Sequence, residues 1–81
     1  MLKIFYLLQP FIENTEREIS VREYAKERIV SPPTASKILK AFHTENILIK
    51  RKLGVYYFFK ANKENFVFDD LSKTYKKIKQ K

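Results

Sequence analysis

The sequence predicts an α+β fold, mostly helical, built as one domain over residues 1–81. Two observations carry this. Apolar residues recur at helical spacing in four segments, and between the third and fourth the period switches to two. The single glycine, Gly54, stands between the two alternating runs, where a hairpin needs it. The chain is 44% hydrophobic and 15% aromatic, which suits one small core and argues against disorder.

The first helix is read from Leu2 to about Ile12. Ile4, Leu7, Leu8, Phe11 and Ile12 form its stripe, and Phe5 and Tyr6 widen it, so the helix should be covered on two sides. Pro10 lacks an N–H and is expected to kink the helix or end it early. Asn14-Thr15-Glu16-Arg17 is a polar connection, and Glu18-Ile19 a short extended piece. Ser20, with Glu23 three residues on, is a capping box and opens a second helix that ends near Arg28. Val21, Tyr24, Ala25 and the Arg28 stem face inward; Arg22, Lys26 and Glu27 face out. Ile29-Val30 is a tight connection. Ser31 precedes a proline and is therefore held out of the helical region, which is the state an N-cap needs. Pro32 then suits the first helical position. Ala35, Ile38, Leu39 and Phe42 are the inward residues of this third helix, which ends near Glu45-Asn46.

Ile47–Lys52 and Val55–Lys60 alternate as strands. Lys52-Leu53-Gly54 suits a three-residue loop with Gly54 left-handed in a G1 bulge. Of Tyr56-Tyr57-Phe58-Phe59, one face is read as core and the other as lying under a terminal helix, with Tyr56 the exposed exception. A last helix starts at Asn65 or Asp69, with Phe68, Leu71, Tyr75 and Ile78 as its stripe. Asp69 and Asp70 lie near its positive end, and Lys76, Lys77, Lys79 and Lys81 near its negative end.

Helix, short strand, helix, tight turn, helix, hairpin, helix is the order of a winged helix-turn-helix: a three-helix core, a β-hairpin wing and an extra C-terminal helix. Seventeen Lys and Arg against nine Asp and Glu leave a formal charge of +8, which favours a polyanionic partner. In such a fold the third helix enters the major groove of double-stranded DNA. Ser31, Pro33, Thr34, Ser36 and Lys37 would then form the reading end, with Lys40 one turn on at a phosphate. Lys50, Arg51 and Lys52 lead to the wing tip and would meet the backbone or the minor groove, with Tyr56 beside them. Arg22 and Lys26 would clamp flanking phosphates.

Other classes are harder to build. Without cysteine there is no disulfide, thiolate nucleophile or Cys-based zinc site. One glycine cannot make a phosphate loop, and no nucleophile stands with a base. His43, the only histidine, reads as a surface residue, and Asp69-Asp70 as helix capping. The expectation is a cytoplasmic binding protein that is not an enzyme, without cofactor, metal or membrane span, and with no effector class legible. A protein-docking winged helix and an RNA-binding one, with bases stacked on Tyr56 or Tyr57, stay open as alternatives.

Pro10-Phe11-Ile12-Glu13-Asn14, Ile19-Ser20-Val21-Arg22-Glu23-Tyr24-Ala25 and Ser31-Pro32-Pro33-Thr34-Ala35-Ser36-Lys37-Ile38-Leu39-Lys40 resemble archaeal winged-helix regulators of the broad MarR/ArsR type. They are similar in particular to the winged-helix domains found ahead of small nucleotidyltransferase domains. Lys60-Ala61-Asn62 after the hairpin adds to the likeness, which covers most of the chain. It implies a transcription factor, dimeric, with Pro33, Thr34, Ser36 and Lys37 on the reading face. The pattern departs in two places. Relatives commonly carry glycine where Ile29 stands, and a β-branched residue tolerates the left-handed region poorly, so a different turn and a re-aimed third helix are expected. No nucleotidyltransferase residues follow. A homodimer is also expected from the surplus apolar surface of the first and last helices.

Overall fold

The computed structural model describes residues 3–79. Among them the elements run α1 (Lys3–Glu13), β1 (Ile19–Ser20), α2 (Val21–Arg28), α3 (Pro32–Thr44), β2 (Leu48–Leu53), β3 (Tyr56–Ala61) and α4 (Phe66–Lys79). Leu2 and Lys81, read as helix ends, lie outside the described residues. The three strands form an antiparallel sheet in the order β1-β3-β2, and the helices close one hydrophobic core against it. The architecture is therefore α+β, as expected.

Phe5, Leu8, Phe11 and Ile12 of α1 enter this core, with Ile19, Tyr24, Leu39, Leu48, Phe59, Phe68 and Tyr75. Each such side chain contributes roughly 1.5–3 kcal/mol relative to exposure. Two inward assignments are corrected. Ile4 is exposed and Phe5 takes its place, because residues 5, 8 and 12 share the helix face that meets the core and residue 4 lies on its flank. Ile78 is likewise exposed, since Tyr75 is the last residue of α4 to reach the core.

Pro10 neither ends α1 nor interrupts it; the helix runs on to Glu13. Its missing N–H leaves the Tyr6 carbonyl without its i+4 donor. Arg28 of α2 fills the vacancy, with Nη1 donating to that carbonyl at 2.8 Å and to Gln9 Oε1 at 3.2 Å. The guanidinium lies 4.5 Å over the Tyr6 ring, while the Tyr6 hydroxyl donates back to the Arg28 carbonyl at 3.3 Å. One turn away the buried Tyr24 hydroxyl donates to the Leu7 carbonyl at 2.6 Å, and its ring stacks on Phe11. Burial pushes the Tyr24 phenol up to about 12. The defect in α1 is thus what docks α2.

The caps follow the sequence. Ser20 and Glu23 exchange both bonds of the capping box. The Ser31 hydroxyl accepts from the Thr34 N–H, behind two prolines in the first turn. Asn65 caps α4 through the Phe68 N–H, which selects the earlier of its two expected starts. α3 and α2 both end in Schellman turns, with Ile47 N–H to the Phe42 carbonyl and Val30 N–H to the Ala25 carbonyl. The left-handed residues are Asn46 (φ 60°) and Ile29 (φ 56°, ψ 53°). The expected change of turn at Ile29 does not occur: isoleucine adopts the glycine-like conformation itself. Asn62 and Asn65 donate to the Asn46 carbonyl and so pin the connection to α4 on the end of α3.

The hairpin pairs Leu53 with Tyr56, one rung further than expected. Its loop is therefore two residues, Gly54 and Val55, rather than a three-residue loop with a bulge. Positive φ falls on Gly54 (63°) alone, the pattern of a II′ turn. The cross-strand pair of Leu53 and Tyr56 extends the ladder that a bulge would have broken.

α4 is held against α1 by polar contacts around Glu13. Its carboxylate accepts from Lys79 Nζ at 2.9 Å, from the Tyr75 hydroxyl at 2.8 Å and from Gln9 at 3.2 Å. Those donors, Lys79 foremost, hold its carboxyl down to about 2.

Two expectations follow. Ile29 is 88% exposed, so replacing it loses little packing while removing β-branched strain. Ile29→Gly should raise the unfolding free energy by about 1 kcal/mol in urea melts; an unchanged or lower midpoint would show the turn is not strained. The second concerns acid. A carboxyl depressed in the folded state adds stability that is present above its ordinary 4.5 and lost as pH falls through the folded value. The melting temperature should therefore drop between about pH 5 and pH 2, and Glu13→Gln should flatten that decline. An identical pH profile for this variant would remove Glu13 from the account.

Candidate nucleic-acid interface

α3 presents one clear face. At about 100° per residue, Pro33, Ser36, Lys37, Lys40 and Thr44 fall on one side, opposite the inward Ala35, Ile38, Leu39 and Phe42. Pro33, Lys37, Lys40 and Thr44 are exposed, and Ser36 is half-buried. Ser31 and Thr34 sit at the start of the helix, where their hydroxyls bond each other at 2.9 Å as part of the cap.

Two hollows border this helix. One, of about 330 Å³, lies between α3 and the hairpin, lined by Val21, Ser36, Lys40, Lys50, Tyr57 and Phe59. The other, of about 260 Å³, lies between α2 and the start of α3, lined by Arg22, Ala25, Lys26, Val30 and Pro32. The fold thus brings Ser36, Lys40 and Lys50 together at one hollow, and Arg22 with Lys26 at the other. Lys52 joins the first group through Tyr57: the ammonium groups of Lys50 and Lys52 lie 4.9 and 5.8 Å from its ring centre.

The strand register separates the remaining candidates. Lys50 pairs with Phe59 and Lys52 with Tyr57, on the face that meets α3. Arg51 pairs with Phe58, and Leu53 with Tyr56, on the opposite face. Arg51 is also occupied. Its Nε and Nη2 donate to Glu18 at 2.7 and 2.9 Å, and its guanidinium lies over Phe58. This bidentate pair depresses the Glu18 carboxyl and raises the Arg51 guanidinium. Neither Arg51 nor Tyr56 shares the face of Lys50. Tyr57, named only as a stacking residue for RNA and not among the DNA contacts, does, and alternation from a buried Phe59 could have pointed to it. Tyr56 is exposed as read, but it is not the lone exception: Tyr57 on the core face is 38% exposed, and Phe58 on the far face is half-buried with the Arg51 guanidinium over its ring.

The carboxylates complete the sorting. Glu16 accepts from Lys63 Nζ and stands 3.5 Å from Lys60 Nζ, and these lysines, Lys63 first, hold its carboxyl below the usual range. Glu27 takes Arg17. Among the described residues Arg22, Lys26, Lys37, Lys40, Lys50 and Lys52 form no ion pair. Between Arg28 and Lys63 the only carboxylate in the chain is Glu45, a signal present in the sequence itself. Among the described residues no cluster of His, Cys, Asp or Glu could hold a metal ion, and no helix is long and apolar enough to cross a membrane. Comparison with protein-family models, with curated proteins and with solved structures returns no match.

The Glu18–Arg51 pair spans 33 residues and ties the hairpin to the strand before α2. Glu18→Gln should speed amide exchange in Leu48–Ala61 by a few-fold and leave α1 unchanged, the modest effect of an exposed pair. Equal protection in both proteins would show that this strut does not hold the hairpin.

Proposed function

We propose that this chain is a winged helix-turn-helix domain that binds double-stranded DNA sequence-specifically and regulates transcription. The observation that carries the reading is the unpaired ridge of α3, with Lys37 and Lys40 exposed beside the Lys50–Lys52 edge of the hairpin. A convex helix with short side chains at its N-terminal end fits a major groove about 12 Å wide. Pro33 and Ser36 allow close approach, and Lys37 reaches base edges. Lys40, Lys50 and Lys52 meet phosphates on the hairpin side, and Arg22 and Lys26 on the α2 side. At the start of α3 the prolines carry no N–H, and the Thr34 and Ala35 N–H groups are held by Ser31, so only the helix dipole favours a phosphate there. The role is binding and not catalysis.

The regulator acts as a homodimer in this reading. Ile4 and Tyr6 on α1, and Phe66, Val67 and Ile78 on α4, leave apolar surface away from the α3 ridge. A two-fold pair would read a roughly palindromic site.

The test is fluorescence-anisotropy titration of random duplex and of duplex from around the chain's own gene, each at two salt concentrations. The expected result is tighter binding of the gene-proximal duplex that survives the higher salt, with two chains per site. The log–log salt slope should be about −0.9 per phosphate neutralised. Lys37→Ala should relax sequence preference at one position, at about 1–3 kcal/mol. Lys52→Ala should weaken all duplexes alike and make the slope about one unit shallower. Identical behaviour of the two variants would overturn the division into reading helix and wing. Weak binding of both duplexes, abolished by modest salt, would overturn the function.

A further inference from the structure

Basic residues lead into the hairpin, but its tip is apolar. Leu53 is 56% and Val55 83% exposed, on either side of Gly54. A Cβ built on Gly54 would meet no atom within 4 Å, so the tip projects into open space. The II′ turn requires glycine at its first loop position only. The second is ordinarily polar, and here it carries a β-branched valine that contributes nothing to the core. The cations stand behind it. Lys52 is one residue back and Lys50 three, and both ammonium groups are drawn over the Tyr57 ring on the α3 side. An apolar point with unpaired cations behind it on one face suits a partner with an anionic rim and an apolar interior.

Within the DNA-binding reading, on which this rests, we propose that Leu53 and Val55 form a wedge. The wedge enters the minor groove next to the major-groove site of α3 and partly unstacks one base step, so that the duplex is kinked towards the major groove. Lys50 and Lys52 take the flanking phosphates as the tip enters. A bilayer has the same layered chemistry, but two aliphatic side chains offer it little area, and the free cations continue along α3 instead of lying around the tip in one plane. The duplex is the occupant that uses both the tip and the ridge.

The experiment uses the whole chain and an end-labelled duplex containing the site found by footprinting. Three signals are read on the same samples: anisotropy for binding, energy transfer between the ends for bending, and fluorescence of 2-aminopurine placed at successive adenines for unstacking. Phosphatidylserine–phosphatidylcholine vesicles form a separate arm. The wild-type chain should shorten the end-to-end distance and brighten 2-aminopurine at one step. The Leu53→Ser/Val55→Ser double variant should still bind, within about tenfold, but lose both the bend and the brightening. Both residues are exposed, and an unchanged circular-dichroism melt confirms that the variant is folded. Tight wild-type binding to a straight duplex with no brightening overturns the wedge and leaves the DNA reading intact. Vesicle binding that depends on Leu53 and Val55, with no duplex binding, overturns both.

Discussion

The packing of the helices depends on a hydrogen bond that α1 cannot make. Pro10 leaves the Tyr6 carbonyl exposed in the middle of a helix, an acceptor whose loss would be costly if buried unpaired. Arg28 answers it from the last residue of α2, with Tyr24 bonded to the next carbonyl, so α2 can dock in one orientation only. The other end of α2 is set by the Ser20–Glu23 box beside the sheet. Ile29 comes directly after Arg28. A left-handed residue there reverses the chain within two residues and sets the angle at which α3 leaves. The direction of the α3 ridge is thus traceable, bond by bond, to a proline twenty-odd residues earlier. Arg28 Nε is buried without a partner, a residual cost that the stacking on Tyr6 helps to offset.

The second organising principle is electrostatic sorting. The chain does not spread its excess of positive charge evenly. Glu16 and Glu18, in the connection between α1 and α2, draw off Lys60 and Arg51 on the far face of the hairpin and Lys63 just beyond it. The alternation of β2 leaves Lys50 and Lys52 on the near face with no carboxylate opposite. Exposed ion pairs of this kind add little stability. Their larger effect is on the field, because they cancel charge on the far face and leave the α3 side uncompensated over distances comparable to the ~8 Å screening length.

Local chemistry made much of this legible in advance. Ser20 with Glu23 and Ser31 before Pro32 each name a helix start from within four residues, and both cap as read, whereas at α4 the cap is Asn65 and not the Asp69-Asp70 pair read as capping, Asp69 pairing with Lys73 instead. The exposed candidates Arg22, Lys26, Lys37, Lys40, Lys50 and Lys52 followed from helical and strand periodicity in the same way. What failed depended on distance or register. Nothing near Arg51 announces that Glu18, 33 residues earlier, will claim it. The pleat of β3 puts Tyr57, two residues from the buried Phe59, and not Tyr56 on the α3 side, and one rung of hairpin register makes Leu53, read as loop, a strand residue. Ile29 failed for another reason. Its intrinsic preference is against the left-handed region, and the hydrogen bonds of the Schellman turn override it.

The same register bears on how the aromatic strand could be used. Stacking an unpaired base requires a ring face that is open and cations close enough to hold the adjoining phosphates. Tyr57 has the cations, but Lys50 and Lys52 lie over its ring and compete for the stacking face. Tyr56 has an open ring, but its face of the hairpin carries Arg51, already bound to Glu18. Neither tyrosine combines the two requirements. The features of a helical ridge suffer no such conflict: Lys37 and Lys40 are unpaired, the side chains beside them are small, and the hairpin edge supplies further cations. Duplex recognition would use groups that form no ion pair in this fold, whereas single-strand stacking would have to displace contacts already made.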